Sequence, residues 1–215
     1  MPDPDRPELP GDDASLPTIL AAAWTMLERG AARADDDAHW PVFASVDARD
    51  PERVAPDARV VVLRRADRSA AELEVHSDAR AHKLAQLGAV PRACLVFHDR
   101  DRDVQLRVHG TVHIHVGDAC ARAAWDRLSA SSQRAYLAPR TPGEPTDVPD
   151  VNLPDGLRTR LPDAAEAQAG FARFAVIVLA VHELDWLRLD RAGHQRAHFE
   201  WLAPAQPPSA HWRRP

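Results

Sequence analysis

Apolar and polar residues alternate most clearly between Val104 and Val116. Within this stretch the even positions are apolar or glycine, and the odd positions are Gln105, Arg107, His109, Thr111, His113 and His115. A period of two places alternate residues on opposite faces of a β-strand. The pattern therefore predicts a long strand with one face in a core and the other face polar.

Further apolar, β-branched stretches predict a series of strands along the rest of the chain. They are Trp40–Val46, Arg59–Arg65, Ala71–His76, Arg92–His98, Arg173–Val181, Trp186–Leu189 and His194–Trp201. Arg59–Arg65 reads as one buried strand, and Ala71–His76 is expected to pair with it as a hairpin through Asp67, Arg68 and Ser69. Strands therefore dominate the predicted structure.

Three stretches have helical spacing instead. Ser15 and Pro17 are typical of a helix start and precede an apolar pattern over Ile19–Arg29. A short helix is expected from Asp78 to Leu87, ending before Gly88 and Pro91, and another over Asp118–Leu128. Because the helices do not alternate regularly with the strands, we expect a mainly β (α+β) fold, an antiparallel barrel with peripheral helices.

The length of 215 residues suits one domain. Residues 1–15 lack apolar periodicity, are rich in proline and acidic residues, and are predicted to be a disordered leader. Residues 16–215 are then a single domain. Within it, residues 138–165 contain six prolines and little pattern, which predicts a long loop.

Composition limits the partners and the compartment. A net charge of -5 and a pI near 6.1 argue against nucleic-acid binding, which needs a basic surface. Cys94 and Cys120 are too few for a disulfide framework, and no secretory signal or membrane-spanning apolar run is evident. We expect a cytoplasmic protein with a small-molecule substrate and with neither a nucleic-acid nor a membrane partner.

Several common catalytic and binding motifs are absent from the sequence. It has no Walker A loop, no GxGxxG fingerprint and no GxSxG nucleophile motif. His109, His113 and His115 share one strand face and could ligate zinc, which would permit hydrolysis. Since no neighbouring carboxylate or cysteine completes a ligand set, solvent-facing histidines are the favoured interpretation and no metal is expected.

Lys83 is the only lysine among the 27 basic residues. One explanation is a coding bias toward arginine, which leaves Lys83 as a chance survivor on a solvated helix face. The other is a specific role, because lysine presents a compact charge that suits a phosphate oxygen, whereas arginine presents a planar fork.

The neighbours of Lys83 favour the specific role. An RVVVLR strand at Arg59–Arg64 is followed by His76-Ser77, His82-Lys83, Gln105, Ser132-Gln133 and finally Trp186 with His194 and Arg196. This order and spacing resembles that of the pyridoxamine 5′-phosphate oxidase family, over about residues 40–202. The segments YLAPRTPGEP and LDWLRLDRAGHQRAHFEW resemble a less characterised branch of the family rather than the classical vitamin B6 enzyme.

The resemblance implies an antiparallel FMN-binding split β-barrel, with FMN as the cofactor and a homodimer that builds the site between its subunits. By position, it implies FMN-binding roles for Arg59, Val60, Arg64, His76, Ser77, His82, Lys83, Gln105, Trp186 and Arg196. Arg59, Ser77 and Lys83 would hold the phosphate, and Gln105 would lie near the isoalloxazine ring. His194 and Arg196 are the candidate catalytic residues, and Ser132 is the candidate substrate contact.

Two functions remain open at this point. The first is an FMN-dependent oxidoreductase that takes a hydride from an amine, an alcohol or a reduced nicotinamide. Its classical B6 activity is in question, because Ala124 and Leu128 stand where the family has a tyrosine and an arginine that bind the substrate phosphate. The second is a split-barrel protein that binds flavin or haem without turnover. The histidines on the polar face of the strand are the feature that keeps haem binding possible.

Overall fold

The structure is a computed structural model that describes residues 14–203 and 206–215. Most of the predicted leader therefore lies outside the described residues. Five α-helices are described: α1 Leu16–Ala32, α2 His82–Ala89, α3 Ala119–Asp126, α4 Ala130–Arg134 and α5 Ala164–Gln168. The nine described strands are β1 Val42–Asp47, β2 Ala55–Val60, β3 Leu63–Asp67, β4 Glu72–Asp78, β5 Arg92–Asp99, β6 Val104–Val116, β7 Phe174–Arg188, β8 Gln195–Glu200 and β9 Ser209–Arg213.

All strand pairs are antiparallel, which confirms the predicted mainly β class. The main sheet runs β2-β1-β5-β6-β7-β4-β3, and β8 and β9 extend it from the second half of β7. Only Val61 and Val62 separate β2 from β3, so the chain connects the two ends of this path. The result is a split barrel whose sheet is not closed by hydrogen bonds between β2 and β3 in the described chain.

The prediction of one buried strand over Arg59–Arg65 is wrong. The chain forms two strands there, because β2 leaves β1 at the Val60–Val42 pair and β3 begins at Leu63 opposite Val75. Most of β2 is exposed, whereas Leu63 is fully buried. The run of valines has the same β propensity throughout, so local sequence could not show where the chain changes partners.

The final strands also differ from the prediction. Arg173–Val181 and Trp186–Leu189 are parts of the single 15-residue strand β7, which pairs with β4 in its first half and with β8 in its second. The strand β9 was not predicted, because its five residues are short of apolar character and all of them are exposed.

The barrel core confirms the alternation that predicted β6 as far as Val112, whereas Ile114 and Val116 at the end of the strand are exposed. Val104, Leu106 and Val108 are at most 4% exposed, and they pack with large side chains from β1 and β5 such as Phe43 and Phe97. Helix α1 covers one end of this core, and its start follows the prediction, with Ser15 as the N-cap and Pro17 in the first turn. A second apolar cluster joins α3 to β7 through Trp125, Tyr136 and Phe174.

The proline-rich stretch is held to the domain at its beginning. The carbonyl of Ala138 accepts hydrogen bonds from Arg80 at 2.9 Å and from Arg173 at 2.7 Å. Between residues 138 and 163 the described regular structure is the 3-10 turn Asp155–Leu157. Across the described residues, no helix has both the length and the apolar character needed to span a membrane.

The pairing of β6 with β7 shifts register between His109 and Gly110, where His182 is the extra residue of a bulge in β7, and the close approach of β7 leaves no space for a side chain at Gly110. A Cβ atom there would lie 2.1 Å from the carbonyl oxygen of Ala180, whereas one at Gly88 in α2 would have no neighbour within 4 Å. We expect Gly110→Ala to lower the free energy of unfolding by about 1–3 kcal/mol or more, since overpacking forces the backbone to move.

The matched control is Gly88→Ala, which should raise the free energy of unfolding by about 0.5–1 kcal/mol because alanine favours a helix over glycine. Urea unfolding of the two variants measures both changes. Equal stability of the two variants would contradict the close approach of β6 and β7 at Gly110.

Candidate functional site

Lys83 lies in the first turn of α2, where its side chain reaches β4. Its Nζ donates a hydrogen bond of 2.9 Å to Oγ of Ser77, which is 5% exposed. Burial lowers the pKa of Lys83, and the positive charge of Arg59 lowers it further. Arg59 lies on the same side of α2, because its guanidinium donates a hydrogen bond of 3.2 Å to Gln86, one helical turn after Lys83.

Arg59 in β2 is the second cation of this site. Its guanidinium donates to Oγ of Ser45 at 2.7 Å and to the carbonyl of Phe43 at 3.3 Å, and it forms an ion pair with Asp57. The guanidinium carbon also lies 5.9 Å from the centre of the Phe43 ring. These contacts fix the direction of a long side chain that is otherwise flexible.

Gln86 in α2 holds the Arg59 guanidinium through a hydrogen bond and was not predicted as a site residue. Its amide oxygen accepts hydrogen bonds from Ser45 at 2.8 Å and from Arg59 at 3.2 Å, while its amide nitrogen donates to Asp57 at 2.8 Å. The hydrogen bond from Gln86 lowers the pKa of Asp57, which keeps that carboxylate charged. Gln86 is 2% exposed and follows Lys83 by one helical turn, and this spacing is the signal that could have identified it.

The hydrogen bonding of Lys83 suits an anionic ligand. The hydroxyl of Ser77 donates onward to the carbonyl of Asp78 at 3.1 Å, so Lys83 is bonded to a neutral group. Within the described part of the chain, the carboxylate of Asp78 pairs with Arg80, and no carboxylate lies at ion-pair distance from Lys83. An ammonium has three donors, so the site can offer cationic donors to a phosphate while the hydroxyl and Arg59 flank it.

A second polar group occupies the outer face of β6, β7 and β8. Gln105 lies opposite Leu187, which in turn lies opposite Arg196. Nε of Arg196 donates to both carboxylate oxygens of Asp185 at 3.0 and 3.2 Å, and Arg107 approaches the same carboxylate at 3.5 Å. Asp185 therefore aligns two guanidiniums beside Gln105, which is half-buried.

Asp185, Arg107 and His198 belong to this face but were not predicted as site residues. Nδ1 of His198 lies 3.9 Å from Asp185, and the side chain is 3% exposed. Burial lowers the pKa of His198, and the charge of Arg213 lowers it further. The alternation of β8 puts Arg196 and His198 on one face, so a period-two analysis of the closing strand could have found the histidine.

The candidate catalytic and substrate residues lie at separate places. His194 is in the turn between β7 and β8, where its Nδ1 accepts a hydrogen bond from the backbone of Asp190 at 3.1 Å. Trp186 packs in the barrel core opposite Leu106 and is 2% exposed. Ser132 is in α4, and its backbone N–H and hydroxyl both contact the N-cap Ser129.

The remaining predicted residues do not join the Lys83 site through their side chains. His76 lies on the opposite face of β4 from Ser77, where its Nε2 is 2.9 Å from Glu74 and its ring meets Phe174 edge-on at 4.8 Å. Arg64 is exposed, and its charge acts on His76 rather than on Lys83. His82 is exposed at the start of α2, and Val60 is 61% exposed at the end of β2.

The three strand histidines have ordinary surroundings. His109 lies 3.6 Å from the sulfur of Cys94, His115 is 2.8 Å from Asp118, and His113 is exposed. Burial raises the pKa of the Cys94 thiol to about 11. Across residues 14–203 and 206–215, no three potential metal ligands of the His, Cys, Asp or Glu type come together.

Comparison with known proteins relates the fold to a family. Residues 21–116 match the family model of the pyridoxamine 5′-phosphate oxidase FMN-binding domain. The structure is similar to a pyridoxamine 5′-phosphate oxidase-related, FMN-binding protein from Nostoc punctiforme, with a TM-score of 0.69, 20% identity, and coverage of 91% of this chain and 96% of that one. It is also similar to PhzG from Burkholderia lata, solved with tetrahydrophenazine-1-carboxylic acid, with a TM-score of 0.63, 16% identity and 95% coverage of each chain. No curated protein matches the sequence.

The position of His76 leads to a prediction about pH. Burial lowers the pKa of His76, and its hydrogen bond to Glu74 opposes this only in part. Folding therefore favours the neutral form of His76. Its contribution to stability is complete above the pKa of the unfolded chain, about 6.5. That contribution is lost as the pH falls from there through the lower pKa of the folded protein. We expect His76→Gln to show a shallower loss of unfolding free energy below that pH than the wild-type protein.

Urea unfolding at a series of pH values measures this slope. His113→Gln, which changes an exposed histidine, is the control and should keep the wild-type slope. If His76→Gln also keeps it, His76 does not titrate differently in the folded and unfolded states.

Proposed function

We propose that this chain, which belongs to the pyridoxamine 5′-phosphate oxidase-like FMN-binding family, is an FMN-dependent oxidoreductase. The observation that carries the proposal is the contact between Lys83 and Ser77 beside Arg59. Asp57 pairs with Arg59, whereas Lys83 has only the neutral hydroxyl of Ser77 as a direct partner, so an anion such as the phosphate of FMN would stabilise its charge. The family match and this local chemistry point to the same ligand.

In this proposal, Lys83, Ser77 and Arg59 hold the FMN phosphate. Gln86 and Ser45 keep the Arg59 guanidinium in position through their hydrogen bonds. Gln105 is proposed to contact the flavin ring, because among the described residues its side-chain amide forms no hydrogen bond that would compete with a ligand. When bound, FMN would accept a hydride from the substrate, and an amide beside the ring would tune its electron affinity.

A homodimer is part of the proposal, because the two polar groups do not meet within one chain. The Lys83 site lies at the junction of α2, β2 and β4, whereas Gln105 and Arg196 lie on the outer face of β6–β8. The outer face of β1 and β2 presents exposed apolar residues, including Val42 at 38% and Val60 at 61%. A second copy that covers these valines would bury apolar surface and could bring the two groups to one cofactor.

The proposed substrate is a small molecule that donates a hydride from an amine, an alcohol or a reduced nicotinamide. Arg196, held by Asp185, is proposed to orient a polar group of that substrate near the flavin. His194 borders an open cavity of about 570 Å³ with Asp103 and Arg191, and this is the proposed entrance for the substrate. Trp186 is left out of the proposed site because it is buried in the core.

The two free cysteines fit a cytoplasmic location, which is also proposed.

Sedimentation of the purified protein, followed in the visible flavin band, tests the cofactor and the assembly together. We expect flavin absorbance to sediment with twice the mass of the chain, and to bleach without oxygen when one of the three donor classes is added. A Soret band would favour the haem-binding alternative, and a bound flavin that no donor reduces would favour a non-catalytic flavin protein. A colourless protein that takes up neither cofactor would contradict both functions.

The role of Lys83 has its own test. Lys83→Ala removes one charge-assisted hydrogen bond to the phosphate, so it should weaken FMN binding by about 1.5–3 kcal/mol. Fluorescence titration of FMN measures this change. Arg158→Ala, which removes an exposed positive charge elsewhere, is the charge-matched control and should bind FMN as the wild type does. Unchanged FMN affinity in Lys83→Ala would show that Lys83 does not bind the phosphate.

A further inference from the structure

A groove lies on the side of the domain where α1 crosses the end of β8. Its volume is about 370 Å³. The lining residues come from α1, from the β3–β4 turn and from the chain on either side of residues 204–205, and they include Pro17, Ala21, Trp24, Arg68, Trp201 and Pro207. None of these residues takes part in the proposed cofactor site.

The walls of this groove are mainly apolar and aromatic. Trp24 is 2% exposed at its base, and the half-buried ring of Trp201 meets it edge-on with the ring centres 6.3 Å apart. Leu202, next to Trp201, is 79% exposed. Tryptophan and proline surfaces of this kind are typical of sites that bind proline-rich peptides, whose extended conformation costs little entropy to order.

Arg68 adds a positive charge at the edge of the groove. Its Nη2 donates to Glu28 at 2.9 Å and to Thr25 at 3.0 Å, which fixes the guanidinium against α1. Only Nη2 donates in these contacts, so the remaining N–H groups of a five-donor guanidinium can serve a second acidic partner. The groove therefore suits a segment that combines prolines with acidic residues.

Residues 1–13 of the chain have this composition. Pro4, Pro7 and Pro10 are three residues apart, and acidic residues stand between and beside them. A polyproline II helix has three residues per turn, so this spacing would place all three prolines on one face and the intervening charges on the others. The proposed oxidoreductase activity does not account for this spacing of prolines.

Residues 1–13 are attached to the rest of the chain at one end of the groove. The segment leads directly to Ser15, the N-cap of α1, and Pro17 in the first turn is part of the groove. From Ser15 to Trp24 the helix rises about 13–14 Å at 1.5 Å per residue. Five extended residues span about 16–18 Å, so a chain that turned back at Ser15 could bring Pro10 level with Trp24.

We propose that residues 1–13 dock in cis along this groove, with the face formed by Pro4, Pro7 and Pro10 against Trp24 and Trp201. Attachment to α1 holds the segment at a high effective concentration, so weak proline contacts suffice. Docking would cover the apolar walls and place acidic side chains beside Arg68. The groove is thus a proline-recognition surface whose ligand is the chain's own N-terminal segment.

Cleavage by a glutamate-specific protease after Glu8 tests this proposal in the full chain. The segment should be protected in the wild type, and release of the fragment 1–8, measured by mass spectrometry, should be faster by about tenfold or more in Ala21→Glu. This substitution puts a charge on an exposed wall residue of the groove and leaves the segment unchanged. Ala32→Glu, also exposed on α1 but outside the groove, is the matched control and should be cleaved like the wild type.

Competition with a free peptide tests the proposal in the wild-type chain. Excess free peptide of residues 1–13 carrying Glu8→Gln should displace the segment and speed cleavage of the wild type. Equal cleavage rates in wild type and Ala21→Glu, with no effect of the peptide, would overturn the proposal. Protection that increases with protein concentration would overturn the assignment in cis and point to exchange between copies.

Discussion

The proximity of Lys83 and Arg59 is the constraint on which the candidate site depends. Burial and the neighbouring guanidinium both disfavour the charged lysine, as the direction of its pKa shows. The N–H donors of Arg59 have partners in Ser45, Gln86 and Asp57, which hold its guanidinium beside the site. Lys83 has only the hydroxyl of Ser77 as its direct partner among these groups, and an anionic ligand would complete its coordination.

The topology of the barrel brings these residues together from distant parts of the sequence. Arg59 is at the end of β2, Ser77 is on β4, and Lys83 begins the helix that follows β4. The change of partner at Val61 sends β2 and β3 to opposite ends of the sheet path, and β4 then returns beside β3. Arg59 and Ser77 can therefore lie near one helix although their strands are far apart in that path.

The sequence predicted some of these features well and others poorly, for identifiable reasons. Alternation over Val104–Val112 in β6 and capping at Ser15 are local signals, and both are confirmed. The break at Val61 has no local signal, because it depends on pairing with Val42 on one side and Val75 on the other. Family spacing predicted Lys83, Ser77 and Arg59 as cofactor residues, but spacing alone does not show which way a side chain points. His76 consequently faces Phe174 in the cluster beside α3, Trp186 faces the barrel core, and Gln86 and Asp185 were not predicted.

Lys83, Ser77 and Arg59 are proposed to form a phosphate site for a flavin. The most direct test compares binding of FMN and riboflavin to the wild-type protein, since the two ligands differ only in the phosphate. Loss of two charge-assisted contacts predicts that FMN binds at least about a hundredfold more tightly. Equal affinity for the two ligands would contradict the claim, because it would show that the cation pair does not contact the bound flavin.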